Sequence, residues 1–245
     1  MHAAKDSPTI DVSERGADRD GEPQRSSRRL FMQLLAFDCR DGASSALERL
    51  CSELGARGAR AVVYEDLNHP RGLGLLGYGE DPADLVTLIR PAVAAVTSLE
   101  PRPELTMLGR SYSTGYESDL NYWLLERPQH TVQNPAWPWA VWYPLRRTGA
   151  FERLEPRERG GILREHATIG RAYGEQDLAH DVRLACHGLD ANDNEFVIGL
   201  VGKELHPLSH VVQSMRGTRQ TSEFMAHMGP FFVGRVAWQS HPQPA

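Results

Sequence analysis

The sequence predicts an α+β protein made of two tandem ferredoxin-like halves, which together form a dimeric α/β-barrel-like protomer. Three observations lead to this fold class. The chain has 245 residues, enough for two small domains. Its apolar segments alternate between strand-like runs and runs with helical spacing. The resulting order, β-α-β-β-α-β, occurs twice along the chain, and this is the order of a ferredoxin-like unit.

The first unit spans residues 28–113. A strand-like apolar run opens it, and a segment with apolar residues at helical spacing follows. The next two strand-like runs are separated by turn residues at positions 69–71. Asp81 is suited to cap the second helix, with Pro82 at its first position. In chain order, the predicted elements are strand 28–39, helix 44–54, strands 59–68 and 72–79, helix 82–97 and strand 103–113.

The second unit spans residues 139–239 and repeats the order. Its predicted elements are strand 139–147, helix 156–173, strands 181–190 and 195–205, helix 207–217 and a strand ending the segment 222–238. Residues 114–138 carry several prolines and little periodicity, so they are predicted to be a connecting loop. The charged, Gly/Ser/Pro-rich segment 1–27 is predicted to be a disordered tail, and 240–245 a short tail.

Composition excludes several classes of function. The net charge of -5 argues against a nucleic-acid-binding protein, which usually carries a basic surplus. The sequence shows neither an apolar run of about 18 residues nor a secretory segment, so we expect no integral membrane association. The three cysteines have no CxxC spacing, which disfavours a zinc site or a disulfide framework. A reducing cytoplasm is the expected location.

His166 is the first candidate for a functional residue. Ile162 and Ile169 lie four residues before and three after it, which places the imidazole on the apolar face of the predicted helix. An inward-facing imidazole needs a hydrogen-bond partner or a metal. On these residues alone, a packed core histidine is the commoner alternative. If His166 binds a metal, axial ligation of haem iron suits it best, since a porphyrin supplies the other four ligands.

Several motifs together resemble the chlorite dismutase superfamily. They are Tyr143-Pro144, Glu165-His166-x-x-x-Gly170-Arg171-x-Tyr173, and GPFFVGR at 229–235. Within that superfamily the sequence is most similar to the coproheme decarboxylases. The resemblance is close over about residues 139–238 and weaker over 28–125. It implies the tandem ferredoxin-like fold, haem in the C-terminal half and a homopentamer.

The resemblance also implies roles for individual residues. His166 matches the iron ligand, and Tyr143 matches the tyrosine that, as a radical, takes hydrogen from a porphyrin propionate. Arg147 matches a basic residue beside the reacting propionate. Arg171 and Ser222 match propionate-binding positions, where arginine suits carboxylates because of its forked donors.

Some positions depart from the pattern. Gln220 stands where relatives hold the iron-ligating histidine with a glutamate, which would weaken electron donation to the iron. The residue facing the iron from the distal side stays open between His130, His180 and others. Arg183 lies two positions away from the register of a dismutase arginine.

The implied function is the hydrogen-peroxide-dependent oxidative decarboxylation of Fe-coproporphyrin III to haem b. The expected partners are therefore the porphyrin and peroxide, with Fe-coproporphyrin III or haem b as cofactor. Three alternatives stay open on the sequence: a chlorite dismutase or weak haem peroxidase, a non-catalytic haem carrier, and a structural oligomer without haem.

Overall fold

A computed structural model describes residues 10–240 of the chain. The predictions for residues 1–9 and 241–245 lie outside the described residues. The twelve strands of the described part are β1 Glu14–Arg19, β2 Glu22–Ser26, β3 Phe31–Cys39, β4 Ala61–Asp66, β5 Gly72–Gly79, β6 Leu99–Pro101, β7 Met107–Ser111, β8 Trp139–Arg147, β9 His180–Ala185, β10 Phe196–Gly202, β11 Met225–Met228 and β12 Phe232–Gln239.

The helices fall mainly between these strands. Two of them begin with a π-helical turn, Leu85–Ile89 before α2 and Tyr122–Glu126 before α3. The seven α-helices of residues 10–240 are α1 Ala43–Ala56, α2 Arg90–Ala94, α3 Arg127–Gln133, α4 Gly149–Glu152, α5 Pro156–Glu175, α6 Leu205–Arg216 and α7 Arg219–Phe224. The α+β class and the alternation of helices and strands are confirmed.

The strands β3 to β12 form one antiparallel sheet. Its order is β10-β9-β7-β3-β5-β4-β12-β8-β11, with β6 beside β3. Since β8 also pairs with β10, eight strands make a closed circuit of pairings. Each half supplies four of these strands, and antiparallel pairs β4–β12 and β7–β9 join the halves.

Successive side chains of each strand point to opposite faces of the sheet, so the core is divided into layers. One cluster combines buried side chains of both halves, including Tyr64, Trp142 and Phe232. A second cluster lies where α1 and α2 cover the other face of the first half. A third contains Tyr143, Leu200 and residues of α5 and α6, and it covers the matching face of the second half.

The prediction of a disordered tail over 1–27 is wrong for its later part. Residues 14–26 form the antiparallel hairpin β1–β2. The hairpin is stabilised by contacts with the rest of the chain rather than by an apolar face of its own. Glu14 makes a 2.7 Å ion pair with Arg110, and the Gln24 amide donates to the carbonyls of Glu117 and Ser118.

The connecting segment 114–138 also contains more structure than predicted. Its middle forms the π-helical turn Tyr122–Glu126, which continues directly into α3 with Pro128 near the junction. Leu124, Leu125 and Val132 are buried in the cluster shared by the two halves. This burial stabilises a helix that periodicity alone does not indicate. Across residues 10–240, no helix is both long and apolar enough to cross a membrane.

Candidate functional site

The candidate site lies on the helix-covered face of the sheet in the second half. Antiparallel pairing sets Tyr143 of β8 opposite Ile198 of β10, and Ile198 opposite Arg183 of β9. Directly paired residues project from the same face, and neighbouring strands are about 4.8 Å apart. Tyr143 and Arg183 therefore share one row across the sheet, with their backbones about 10 Å apart.

Apolar side chains around this row are incompletely covered. Tyr143 itself is only 6% exposed. Several of its neighbours in the same cluster are partly buried: Trp139, Phe196, Ile198, Met215, Met225, Phe231 and Val233. Partly covered apolar surface of this kind, lined by both a sheet and helices, is typical of a ligand site.

Helix α5 lies over this face and buries few of its own side chains. Of its twenty described residues, Ile162 alone is buried. A Cβ added at Gly160 or Gly161 would meet nothing within 4 Å. These two glycines lie about 120° and 140° around the helix from His166. A Cβ added at Gly170, on the same side as His166, would lie 3.5 Å from Met215, an ordinary contact distance.

His166 is half-buried near the middle of α5. Burial lowers the pKa of its imidazole, and the positive charge of Arg183 acts in the same direction, whereas Asp181 and Glu165 oppose them. The neutral imidazole, the form that binds a metal, is therefore favoured.

The Nδ1 atom of His166 lies 3.5 Å from Oγ1 of Thr218. That hydroxyl donates to the carbonyl of Met215 at 2.7 Å, so towards His166 it can only accept a hydrogen bond. A neutral imidazole that carries its proton on Nδ1 suits this contact and leaves Nε2 free to bind a metal. Thr218 is therefore the hydrogen-bond partner of His166, at the place where the resemblance implied Gln220.

Helix α7 is held against α5 around this contact. Thr218 caps α7 by accepting from the backbone N–H of Thr221. Arg219 makes a 2.8 Å ion pair with Glu158 of α5, and its backbone N–H donates to the Glu165 carboxylate. These bonds fix the position of the Thr218 hydroxyl relative to His166.

Tyr143 packs as an aromatic side chain rather than through its hydroxyl. Its ring stacks on Phe231 with centroids 4.6 Å apart. Within residues 10–240, its hydroxyl makes no hydrogen bond. Burial raises the pKa of Tyr143. The negative charge of Asp181 raises it further, and the positive charge of Arg216 lowers it. The phenol is therefore protonated at neutral pH and lies within electrostatic range of Arg216.

Arg147 lies at the end of the strand that carries Tyr143 and is only 12% exposed. Its guanidinium pairs with Glu195 at 3.1 Å and with Glu152 at 3.3 Å. It also stacks on Phe151 and Phe196, with Cζ 4.3 and 4.8 Å from the ring centroids. The arginine is thus already neutralised, and an incoming carboxylate must compete with these glutamates.

The other predicted ligand-binding residues are exposed. Arg171 lies on α5 five residues after His166, about 140° around the helix. The Ser222 hydroxyl donates to the carbonyl of Thr218 at 2.9 Å within α7. His130 is exposed on α3, with its ring centroid 6.5 Å from that of Tyr122. None of the three makes a described contact with His166 or Tyr143.

His180, the other distal alternative, is engaged elsewhere. Its ring stacks on Trp137 with centroids 3.6 Å apart, and its Nε2 lies 2.8 Å from Asp177. Alternation along β9 places His180 on the opposite face of the strand from Asp181 and Arg183.

Sequence reasoning missed a charged group on the site face. Asp181 pairs with Arg127 of α3 at 2.5 Å and with Arg183 at 2.9 Å. Burial opposes ionisation of Asp181, but the two arginines hold its pKa below the ordinary value. The signal in the sequence is the alternation of Asp181 and Arg183 with buried Val182 and Leu184, which predicts two charges on one strand face.

These residues fit a haem. His166 offers a free Nε2 beside partly buried apolar surface, as an axial ligand requires. Arg183 and Arg216 supply positive charge near the same face, which suits porphyrin carboxylates. Among residues 10–240, no group of three or more His, Cys, Asp or Glu side chains is arranged to hold a metal ion.

Comparison with known proteins identifies relatives of this fold. The sequence model for chlorite dismutase matches residues 85–237, well over half of the chain. No curated protein matches the sequence.

Among solved structures, a haem-binding protein from Thermus thermophilus superimposes with a TM-score of 0.68 at 18% identity, over 85% of this chain and 91% of its own. A mutant chlorite dismutase from Candidatus Nitrospira defluvii in complex with cyanide gives 0.66 at 13% identity, over 86% and 92%. The chlorite dismutase from the same organism in complex with imidazole gives 0.65 at 13%, over 86% and 92%. At these identities the likeness establishes the fold.

Proposed function

Because this chain belongs to the chlorite dismutase family, we propose that it binds haem and decarboxylates Fe-coproporphyrin III to haem b at the expense of hydrogen peroxide. Each of two propionates loses carbon dioxide, a hydrogen atom and an electron and becomes a vinyl group. Hydrogen peroxide accepts the electrons and protons and becomes water.

The observation that carries the proposal is the placement of His166 on α5 and of Tyr143 on β8, in the half where several apolar side chains between sheet and helices are only partly buried. His166 presents Nε2 from α5, and Tyr143 presents a phenol without a hydrogen-bond partner among residues 10–240. A bound haem supplies an iron centre that exchanges electrons with peroxide. The chain then has to hold the porphyrin and bring one oxidisable side chain to its propionates.

Tyr143 is proposed as the catalytic residue, because a phenol can lose a proton and an electron and then take a hydrogen atom from a propionate. Its stacking on Phe231 restricts the ring to one orientation. The raised pKa keeps the hydroxyl proton in place until oxidation removes it.

Carboxylate binding is proposed for the arginines around the layer. Arg147 can bind the reacting propionate if the carboxylate displaces Glu152, the longer of its two ion pairs. Arg171 and Ser222 are exposed and are proposed to bind the remaining carboxylates. Arg216 is a further cation near Tyr143 that sequence reasoning did not single out.

We also propose that the two sets of four strands are tandem ferredoxin-like halves that close as a barrel-like protomer. The orders β7-β3-β5-β4 and β9-β10-β8-β12 support this reading, because both correspond to the same arrangement of the four strands of one unit. Assembly into a homopentamer is proposed on the resemblance, and analytical ultracentrifugation tests it.

The test of the activity is a mass measurement. Purified protein is incubated with Fe-coproporphyrin III, with and without hydrogen peroxide, and the porphyrin is analysed after the reaction. We expect two successive mass losses, each of one carbon dioxide and two hydrogens. Tyr143→Phe should bind the porphyrin, as seen by its absorbance shift, and leave its mass unchanged. A parent protein that binds the porphyrin and leaves the mass unchanged would overturn the proposal.

Chlorite dismutation is the second candidate, and the position of Arg183 favours it. This arginine lies on the site face in the row of Tyr143, although the sequence register did not predict it there. His130, the distal residue proposed on the resemblance, is exposed and outside that row. Oxygen release from chlorite by the haem-loaded protein, abolished in Arg183→Gln, would support this function over decarboxylation.

A further inference from the structure

A pair of histidines lies on the exposed face of α6. His206 and His210 are separated by one helical turn, both side chains are exposed, and their ring centroids are 5.9 Å apart. Residues four apart in an α-helix project from the same face. When two imidazoles bind one ion through bonds of about 2.1 Å, their ring centroids are roughly 5–6 Å apart. The two rings can therefore reach one cation with small rotations.

One of the two imidazoles is already oriented. The hydroxyl of Tyr173 on α5 contacts Nδ1 of His210 and lies 2.9 Å from the Ser214 hydroxyl. Since Nδ1 of His210 is engaged, its Nε2 is the nitrogen left to bind a cation. A hydrogen bond on the second ring nitrogen is the usual arrangement of a metal-binding histidine, because it fixes the tautomer and the ring orientation.

The chemistry of the pair selects the class of ion. Imidazole nitrogen favours zinc, nickel and copper over magnesium and calcium, which prefer oxygen ligands. In the described part of the chain, no third His, Cys, Asp or Glu joins the pair into a larger group. The remaining coordination positions are therefore left to water or to a ligand from solution.

We propose that His206 and His210 form a binding site for a divalent cation of the zinc, nickel and copper class, with Tyr173 as a positioning residue. Neither histidine is among the residues proposed to hold haem, although Tyr173 packs against the same apolar cluster as Tyr143. The site joins α6 to α5, the helix that carries His166, because Tyr173 belongs to α5. A cation that binds the native state stabilises it, so occupancy raises the melting temperature.

The test is calorimetric titration of the full haem-free chain with zinc, with magnesium as a control ion. We expect zinc to bind and magnesium not to bind. His206→Ala and His210→Ala should each lose the zinc isotherm. His187→Ala, which removes another exposed histidine, should keep it. His166→Ala should also keep it, which separates this site from the iron-ligating position.

Tyr173→Phe tests the positioning role. This variant keeps the ring and its packing and removes the hydroxyl, so we expect zinc affinity to fall about tenfold. If Tyr173 only packs, the variant leaves zinc affinity unchanged, which would overturn its positioning role. Circular dichroism of each variant confirms that it is folded. A parent that does not bind zinc, or an unchanged isotherm in both histidine variants, would overturn the site.

Discussion

The two halves of the protein have the same order of elements but different packing of helices on the sheet. In the first half, Leu50 of α1 and Leu75 of β5 are completely buried in the layer between helices and strands. In the second half, Ile198 of β10 is only partly buried, and α5 buries no described residue except Ile162. Buried side chains predominate in the first layer, whereas partly buried apolar side chains predominate in the second.

Glycines show the same contrast at atomic distances. A Cβ added at Gly77 of β5 would lie 2.9 Å from Ile89, so the helix lies directly on the strand. A Cβ added at Gly161 of α5 would meet nothing within 4 Å. The two glycines therefore differ in local contact: Gly77 is covered by a helix, whereas Gly161 lies at an open position of α5.

The largest expected effect on stability comes from shortening one apolar side chain in each of the two layers. Leu75→Ala should lower the free energy of unfolding by about 3 kcal/mol, because it removes a fully buried side chain and leaves a cavity. Ile198→Ala should cost the ligand-free protein about 1 kcal/mol, since its side chain is already partly exposed. Urea unfolding of both variants measures the difference. Equal losses would contradict the contrast between the layers.

A second pair of variants adds one methyl group to each layer. Gly77→Ala should destabilise the protein by about 2 kcal/mol, because the new Cβ overlaps Ile89. Gly161→Ala should stabilise it by up to about 1 kcal/mol, because alanine favours the helix and nothing obstructs the methyl. Thermal unfolding gives the sign of each change. A destabilising Gly161→Ala would show that this position of α5 is closely packed.

The Thr218 hydroxyl is expected to have a smaller, double effect. Thr218→Val removes the cap of α7 and the partner of His166, so it should cost about 1 kcal/mol of stability. It should also shift the absorbance spectrum of the haem-loaded protein, because the orientation of the ligand changes. Thr218→Ser keeps the hydroxyl and is the matched control. A spectrum that is the same in all three proteins would exclude the role of Thr218 towards His166.

The smallest effect concerns the charges on the site face and depends on pH. Asp181 is 38% exposed, so its ion pairs with Arg127 and Arg183 should contribute only about 0.5 kcal/mol. Because the folded pKa of Asp181 is lower than its ordinary value of 3.8, this stability is present above that value and is lost as the pH falls through the folded pKa. Urea unfolding of the parent and Asp181→Asn should differ at pH 6 and converge at strongly acidic pH. A difference that grows on acidification would have the wrong sign.

Much of the fold could be predicted from periodicity. Strand 139–147 has the predicted bounds, and the helix predicted at 156–173 ends two residues later, at Glu175. The hairpin in 14–26 and helix α3 were missed because docking on distant parts of the chain stabilises them, and a local pattern does not show such contacts. The half-exposed layer of the second half was likewise invisible, since burial depends on how closely a helix approaches.

The candidate site was predicted in part. The motif around His166 located the helix and the strand that form the layer, and the apolar spacing indicated which face the imidazole occupies. Thr218 and Arg216 approach the site through tertiary packing, so their position in the sequence gives no signal. The four-residue spacing of His206 and His210 is visible in the sequence, but the contact with Tyr173 requires α5 and α6 to be packed together.

The central claim is that the apolar layer between the sheet and the helices of the second half binds haem through His166. Titration of the haem-free protein with ferric haem, followed by the Soret absorbance, tests it most directly. We predict a shifted Soret band at saturation in the parent and in His187→Ala, and loss of that band in His166→Ala. The same band in all three proteins, or no band in the parent, would contradict the claim.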